Sequence, residues 1–392
     1  MVAPARGPVT AQPQRAAPSV PATGPARRHP DRKTAWVIVL LARSREGAVP
    51  PPEVLEERLA RATREFPLIS SRLTSGHWVH AGPPRVSVAG ADADPLAIAP
   101  VGHFDLRHES PLRIVTSQSN WVLLCAHHFA FDGLGMVSLL RSLLDGASAA
   151  APDYVTRSSP RRPPTDALRR LFRYADPVAP SEWPAPADSF AATKVQVSGP
   201  HITAQIARAS VLAVGDHNAE RGYPLRRAGL SIAIGGVRGE AATYRRVDLR
   251  PDQDLEAEVV AAMSESAVPT ELAGLPPGAF LLRPLLRRLS DTVLVSNLGR
   301  QTLEGIDDLQ FYPVARGRSA VAVGAVGRVA GPTTLTLRAR DLTPPDATAL
   351  LERIAERLGT PTASEPAHSA IRAHATDRLA APPEGFEPSH PV

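Results

Sequence analysis

The chain of 392 residues contains one cysteine, Cys125, which excludes an internal disulfide framework and fits a reducing compartment. Long apolar runs are also missing. The best stretch, AWVIVLLA at 35–42, is flanked by Arg32, Lys33 and Arg43 and falls well short of the ~20 residues a membrane helix needs. Its length and β-branched content predict a buried strand instead. Residues 1–30 carry arginines and no apolar run, so they do not read as a secretory signal. Charge of one sign is scarce as well. The net charge of +5 is spread along the chain and forms no nucleic-acid footprint. A cytoplasmic, monomeric protein with no nucleic-acid partner and no membrane span is expected.

What is present fits a globular protein of two domains. Hydrophobic residues reach 43%, enough for a sizeable core, and the length exceeds what one core usually absorbs. The 41 prolines cluster, and the clusters mark the joints. Residues 1–30 read as a disordered N-terminal arm, 31–150 as an N-terminal lobe, and 151–190 as a Pro-rich connection. Residues 191–360 read as a C-terminal lobe and 361–392 as a flexible tail. Within the first lobe the pattern predicts a helix after Pro51–Pro52, with Val54, Leu55, Leu59, Ala62 and Phe66 at helical spacing. Short strands are expected near 76–80 and 85–89, a hairpin over 112–128, and a helix after Asp132–Gly133 that Asp145–Gly146 closes. The connection carries a short helix at 166–174. The second lobe predicts helices over 206–221, 254–263, 279–289 and 346–358. Its strands fall near 193–197, 230–234, 292–296, 320–326 and 334–338.

The chemistry concentrates in LLCAHHFAFDG at 123–133. Two adjacent histidines at the end of an apolar strand point to opposite faces if the strand runs through them. Gly133 would permit a tight turn into the following helix. An imidazole near neutrality suits proton removal from an alcohol or amine. Attack on a thioester needs little beyond that base, orientation and oxyanion stabilisation. Asp132 either orients the histidine as in a dyad or forms a buried ion pair fixing the loop. The second is preferred, with Arg64, Arg72, Arg113 or Arg238 as partner. A metal reading is set aside, because no further His or Cys lies at a zinc-like spacing. Cys125 is read as core packing.

HHFAFDG at 127–133 resembles the HHxxxDG motif of the condensation-domain and chloramphenicol-acetyltransferase-like superfamily. FPLISSRL at 66–73, PLRI at 111–114 and VSNLGR at 295–300 are similar to further family segments. The resemblance implies an α/β (α+β) fold of two such lobes, each a mixed or mostly antiparallel sheet with helices, in a V around a central tunnel. It makes His128 the catalytic base, with His127, Asp132, Gly133 and Asn297 in supporting roles. Ile69 stands where many condensation domains have arginine. The SNLGR element differs from the DFGWG type, so the chain looks like a stand-alone ester- or amide-forming relative.

The expected activity is transfer of an acyl group from a thioester to a hydroxyl or amine acceptor in natural-product or lipid biosynthesis. CoA or phosphopantetheine on a carrier protein acting in trans would be the co-substrate, with no permanently bound cofactor. Two other readings stay open: a catalytically silent domain that recruits carrier proteins, and intramolecular cyclisation of a tethered intermediate. Asn297 donates a hydrogen bond near the tunnel or makes a turn with Gly299, and Ser296 is a weaker candidate of the same kind. Arg283, Arg287 and Arg288 form a solvated face or a docking site for CoA phosphates or an acidic carrier. Trp78, Trp121, Phe129 and Phe131 are candidate apolar contacts for substrate, each as easily core.

Overall fold

A computed structural model describes residues 19–21, 36–44, 47–90, 92–99, 101, 104–117, 120–146, 174–183, 187–234, 243–264, 291–315, 321–329 and 331–359. The N-terminal half supplies β1 (Ser19–Pro21), β2 (Val37–Arg43), α1 (Pro52–Ala62), a 3₁₀ turn (Pro67–Ser70), β3 (Ser71–Thr74) and β4 (His77–His80). After these come β5 (Val86–Val88), β6 (Leu112–Thr116), β7 (Trp121–His127) and α2 (Gly133–Asp145). The C-terminal half supplies β8 (Ser189–Val195), α3 (Ile202–Glu220), β9 (Ala228–Ile234), β10 (Thr243–Leu249) and α4 (Leu255–Ser264). It continues with β11 (Val293–Arg300), β12 (Asp308–Tyr312), β13 (Val321–Gly327), β14 (Thr333–Ala339) and α5 (Pro344–Gly359). The helix read at 279–289 and nearly all of that at 166–174 lie outside the described residues, as does 361–392.

Among the described residues the strands form three sheets. A five-stranded sheet has the order β12-β2-β7-β6-β5, a six-stranded one β10-β9-β11-β13-β14-β8, and a small one β1-β4-β3. In the five-stranded sheet β2 and β7 are central and buried along almost their whole length, which explains sequences with no polar face. Each buried leucine or isoleucine there contributes roughly 1.5–3 kcal/mol relative to exposure. Helices α1 and α2 pack on each other, and α2 also packs on β2 and β7. Pro52 at the first helical position and Leu55, Leu59 and Ala62 on one face account for α1. In the six-stranded sheet β11 runs parallel to β9 and β13, and the other neighbours are antiparallel. Helices α3, α4 and α5 form its helical layer, α3 lying on β9 and β11 and α5 on β8 and β14.

Each of the two large sheets has its own apolar core, yet residues 1–359 make one compact unit. The reason is β12. It comes from the C-terminal half but pairs antiparallel with β2, Asp308 opposite Arg43 and Tyr312 opposite Val39. Sequence order and sheet membership therefore part at β12, which follows the connection at 151–190 in sequence but belongs to the sheet of the N-terminal half. A strand of five residues with Asp308 and Gln310 in it gives little periodic signal, and its partner is far away in the chain. Strand β1 is a second departure, because 1–30 read as an arm without order. Ser19–Pro21 adds to β4 by backbone pairing with His77–Val79, which needs no side-chain pattern.

Candidate active site

The site begins where β7 ends. His127 is its last residue, lies opposite Val37 of β2 and is fully buried. Its amide donates to the Pro111 carbonyl at 2.7 Å. Its ring sits edge-on to Phe129, 4.5 Å between centroids, and to Phe104 at 5.8 Å. Nδ1 accepts from the Phe129 amide at 3.2 Å, which fixes the proton on Nε2. His127 is a packed residue of the core.

The strand does not run through the pair. His128 begins a turn, closed by the Ala130 amide donating to the His127 carbonyl at 3.0 Å. The two imidazoles diverge because one belongs to the sheet and the other to the turn, not through strand alternation. The His128 amide donates to the Trp36 carbonyl at 2.7 Å, so its backbone is still tied to β2. Its ring is half-buried. Nδ1 lies 2.7 Å from the Phe131 carbonyl oxygen; a carbonyl only accepts, so Nδ1 carries the proton. The neutral imidazole then has its lone pair on Nε2, the form a general base requires. The turn supplies the group that orients its own histidine.

Asp132 follows directly and caps the next helix. Its Oδ1 accepts from the Gly135 amide at 2.7 Å, capping α2, and such a cap is worth about 1 kcal/mol. The cap fixes the peptide whose neighbour, the Phe131 carbonyl, holds His128. Of the arginines considered for Asp132, Arg113 binds Glu109 through two nitrogens at 2.9–3.0 Å and covers the Phe104 ring at 3.8 Å. Arg64 and Arg72 are exposed, and Arg238 lies outside the described residues. Ile69, the departure from arginine, is fully buried in the core.

Gly133 is the first residue of α2 and is not among the positive-φ glycines. Its role is closeness, not the tight turn read from the sequence. A Cβ there would meet Leu298 Cδ2 at 2.6 Å and Phe311 Cζ at 2.9 Å. Leu298 is on β11 and Phe311 on β12, so the start of α2 is pressed against side chains from the second half of the chain. Asn297, beside Leu298, donates from Nδ2 to Thr203 Oγ1 at 3.0 Å and accepts from the Gly299 amide at 2.9 Å. With Gly299 at φ +70°, this is the turn alternative, braced against the start of α3. Ser296 is buried and pairs with Gly324 and Ala233.

Other sequence candidates separate cleanly. Trp78, Trp121 and Phe131 are core, whereas Phe129 is partly buried and stands edge-on to Trp36 at 5.4 Å. Cys125 is fully buried, and burial pushes its thiol up to about 12, as core packing requires. Arg283, Arg287 and Arg288 lie outside the described residues. A cavity of about 220 Å³ opens between the loop after β11 and the ends of β12 and β13, lined by Leu303, Ile306, Leu309 and Val326 among others. Neither motif histidine lines it.

Sequence reasoning missed the polar face where the sheets meet. On β14, Leu335, Leu337 and Ala339 face their own core, while Thr334, Thr336 and Arg338 face the five-stranded sheet. Thr334 donates to Asp308 at 3.0 Å and Thr336 to the Phe311 carbonyl. Arg338, 1% exposed, donates to the Val37 carbonyl and binds Asp188 through Nε at 2.7 Å and Nη2 at 2.6 Å. Burial weakens its hold on its proton, and the Asp188 carboxylate opposes that effect. The available signal was an arginine at an inward position of TLTLRAR.

No family model matches the chain, and no curated protein matches it either. Solved structures do. The starter condensation domain of rhizomide synthetase RzmA, in a doubly substituted form in complex with C8-CoA, aligns at TM-score 0.54 and 15% identity, covering 85% of this chain and 90% of that one. Its complex with C8-CoA and Leu-SNAC aligns at TM-score 0.52 and 14% identity, with the same coverage. A third form of that domain gives TM-score 0.51 at 14% identity over 87% of this chain and 96% of the other. No helix among the described residues is long and apolar enough to cross a membrane. Two joined α/β halves that align with these domains over most of both chains give this protein a condensation-domain fold.

Proposed function

We propose that the protein transfers an acyl group from a thioester, on CoA or on carrier-protein phosphopantetheine, to a hydroxyl or amine acceptor, with His128 as general base. The observation that carries this reading is the 2.7 Å contact between His128 Nδ1 and the Phe131 carbonyl. It leaves the basic lone pair on Nε2 of a half-buried ring. In the reaction Nε2 takes the proton of the acceptor O–H or N–H as the heteroatom attacks the thioester carbonyl. The tetrahedral intermediate collapses with cleavage of the C–S bond, and the imidazolium returns the proton to the departing thiolate. An ester or amide and a free thiol result, and the base is regenerated. That the RzmA domain is seen with C8-CoA supports a CoA thioester as donor here.

The test is release of free thiol from a series of acyl-CoA and acyl-carrier donors, each offered with amine and alcohol acceptors. Removing a positioned general base costs on the order of 10²–10⁴-fold, so His128→Ala is expected to lose at least that much turnover while keeping its fold. Turnover equal to the parent protein in a folded His128→Ala variant would refute the assignment. Mass analysis of the product separates transfer, which joins two substrates, from cyclisation of one.

A further inference from the structure

We infer that Arg338 is a positioning residue for His128, making the placement of the imidazole depend on the docking of the six-stranded sheet; this rests on His128 being the base. Arg338 stands on the face of β14 that meets the other half of the molecule. Its neighbours on that face, Thr334 and Thr336, bond to Asp308 and to the Phe311 carbonyl, both on β12. Arg338 reaches farther, to the first residue of β2, where Nη1 donates to the Val37 carbonyl. Val37 is the register partner of His127. The next carbonyl back, that of Trp36, receives the His128 amide at 2.7 Å. The carbonyl that Arg338 holds and the carbonyl that holds the histidine backbone therefore belong to adjacent residues.

The guanidinium cannot turn. Its Nε and Nη2 both contact Asp188 Oδ2, at 2.7 and 2.6 Å, and Arg340 Nε lies 3.2 Å from Oδ1 of the same carboxylate. Because the group is planar, fixing that edge also fixes the direction of Nη1. A buried ion pair is a weak source of stability, since apolar side chains of similar volume would fill the space as well. What this one adds is direction. The charge is buried and paired, and its one remaining bond is aimed at the strand end from which the histidine turn hangs. Neither threonine beside it reaches β2.

The experiment uses the full chain labelled with ¹⁵N-histidine, the His128 signals being assigned by their loss in His128→Ala. The parent protein is expected to show His128 as the Nδ1-protonated tautomer. In Arg338→Met those signals should shift toward a mixture of tautomers, and kcat for the best acyl-CoA donor should fall on the order of 10²-fold, as for a base displaced by about 1 Å. KM should change little, because Arg338 is buried and offers no surface to either substrate. Arg338→Lys keeps the charge but not the fork, so it should lie between the two. A folded Arg338→Met protein with parent-like His128 signals and kcat would overturn the inference. If Arg338→Met does not fold, Asp188→Asn removes one anchor of the fork, and unchanged His128 signals there overturn it equally. Should His128→Ala retain full turnover, the catalytic reading fails, while the ¹⁵N comparison still decides whether Arg338 sets the ring.

Discussion

Gly133→Ala tests how closely the start of α2 meets the second half of the chain. An alanine Cβ would lie 2.6 Å from Leu298 Cδ2 and 2.9 Å from Phe311 Cζ, where ordinary contact begins at 3.4 Å, so roughly 0.8 Å must be found on one side. Leu298 is a flexible side chain and can yield part of this. Phe311 is 2% exposed, so its ring is enclosed and has little room to move. Overpacking of this kind typically costs 1–3 kcal/mol. The glycine is helical, so alanine brings a propensity gain of up to ~1 kcal/mol that offsets part of the cost. A net loss of about 1–2 kcal/mol is expected, read as a lower urea midpoint at unchanged slope. Leu298→Ala alone should cost about 2–5 kcal/mol. The double variant should be more stable than the sum of the two by about 1 kcal/mol, because removing Cδ2 makes room for the new Cβ. Two effects that add to within about 0.5 kcal/mol would show that the close approach is not what glycine serves there.

Two further outcomes test the packing of the two halves. Burial holds His217 below the ordinary imidazole value of 6.5, and Arg221 lowers it further, with the bond to the Ala179 carbonyl opposing. The unfolded chain therefore binds more protons just below pH 6.5, and the contribution of His217 is complete above 6.5 and lost as pH falls through the lower native value. The urea midpoint should drop more between about pH 7 and about pH 5 in the parent protein than in His217→Gln, and equal drops would refute this. Cys125, with its thiol raised to about 12 in a fully buried strand, should resist a thiol reagent at neutral pH until the protein is unfolded. Fast labelling of the folded protein would contradict that packing.

The elements with strong periodicity were legible from the residues alone. The apolar runs of β2 and β7, the amphipathic face of α1, and the Asp132 and Gly146 ends of α2 all act locally, within a few residues of the signal they leave. The longer strands of the second half carry the same kind of mark. Strand β10 did not, because TYRRVDL reads as polar; it is an edge strand and leaves no fully apolar run. An apolar run does not announce its last residue, so the sequence leaves open whether the strand passes through His128, where the structure has a turn.

By itself the sequence determined the apolar strand that ends at the histidine pair and the helix that Asp132 caps, since those signals lie within a few residues of one another. Tertiary structure alone decided what lies against that segment. Gly133 is explained by Leu298 and Phe311, and Arg338 by Val37 and Asp188, contacts across roughly 150 to 300 positions. Pairings at that separation leave no periodic trace, because their free energy depends on three-dimensional closeness and not on any local preference of the chain.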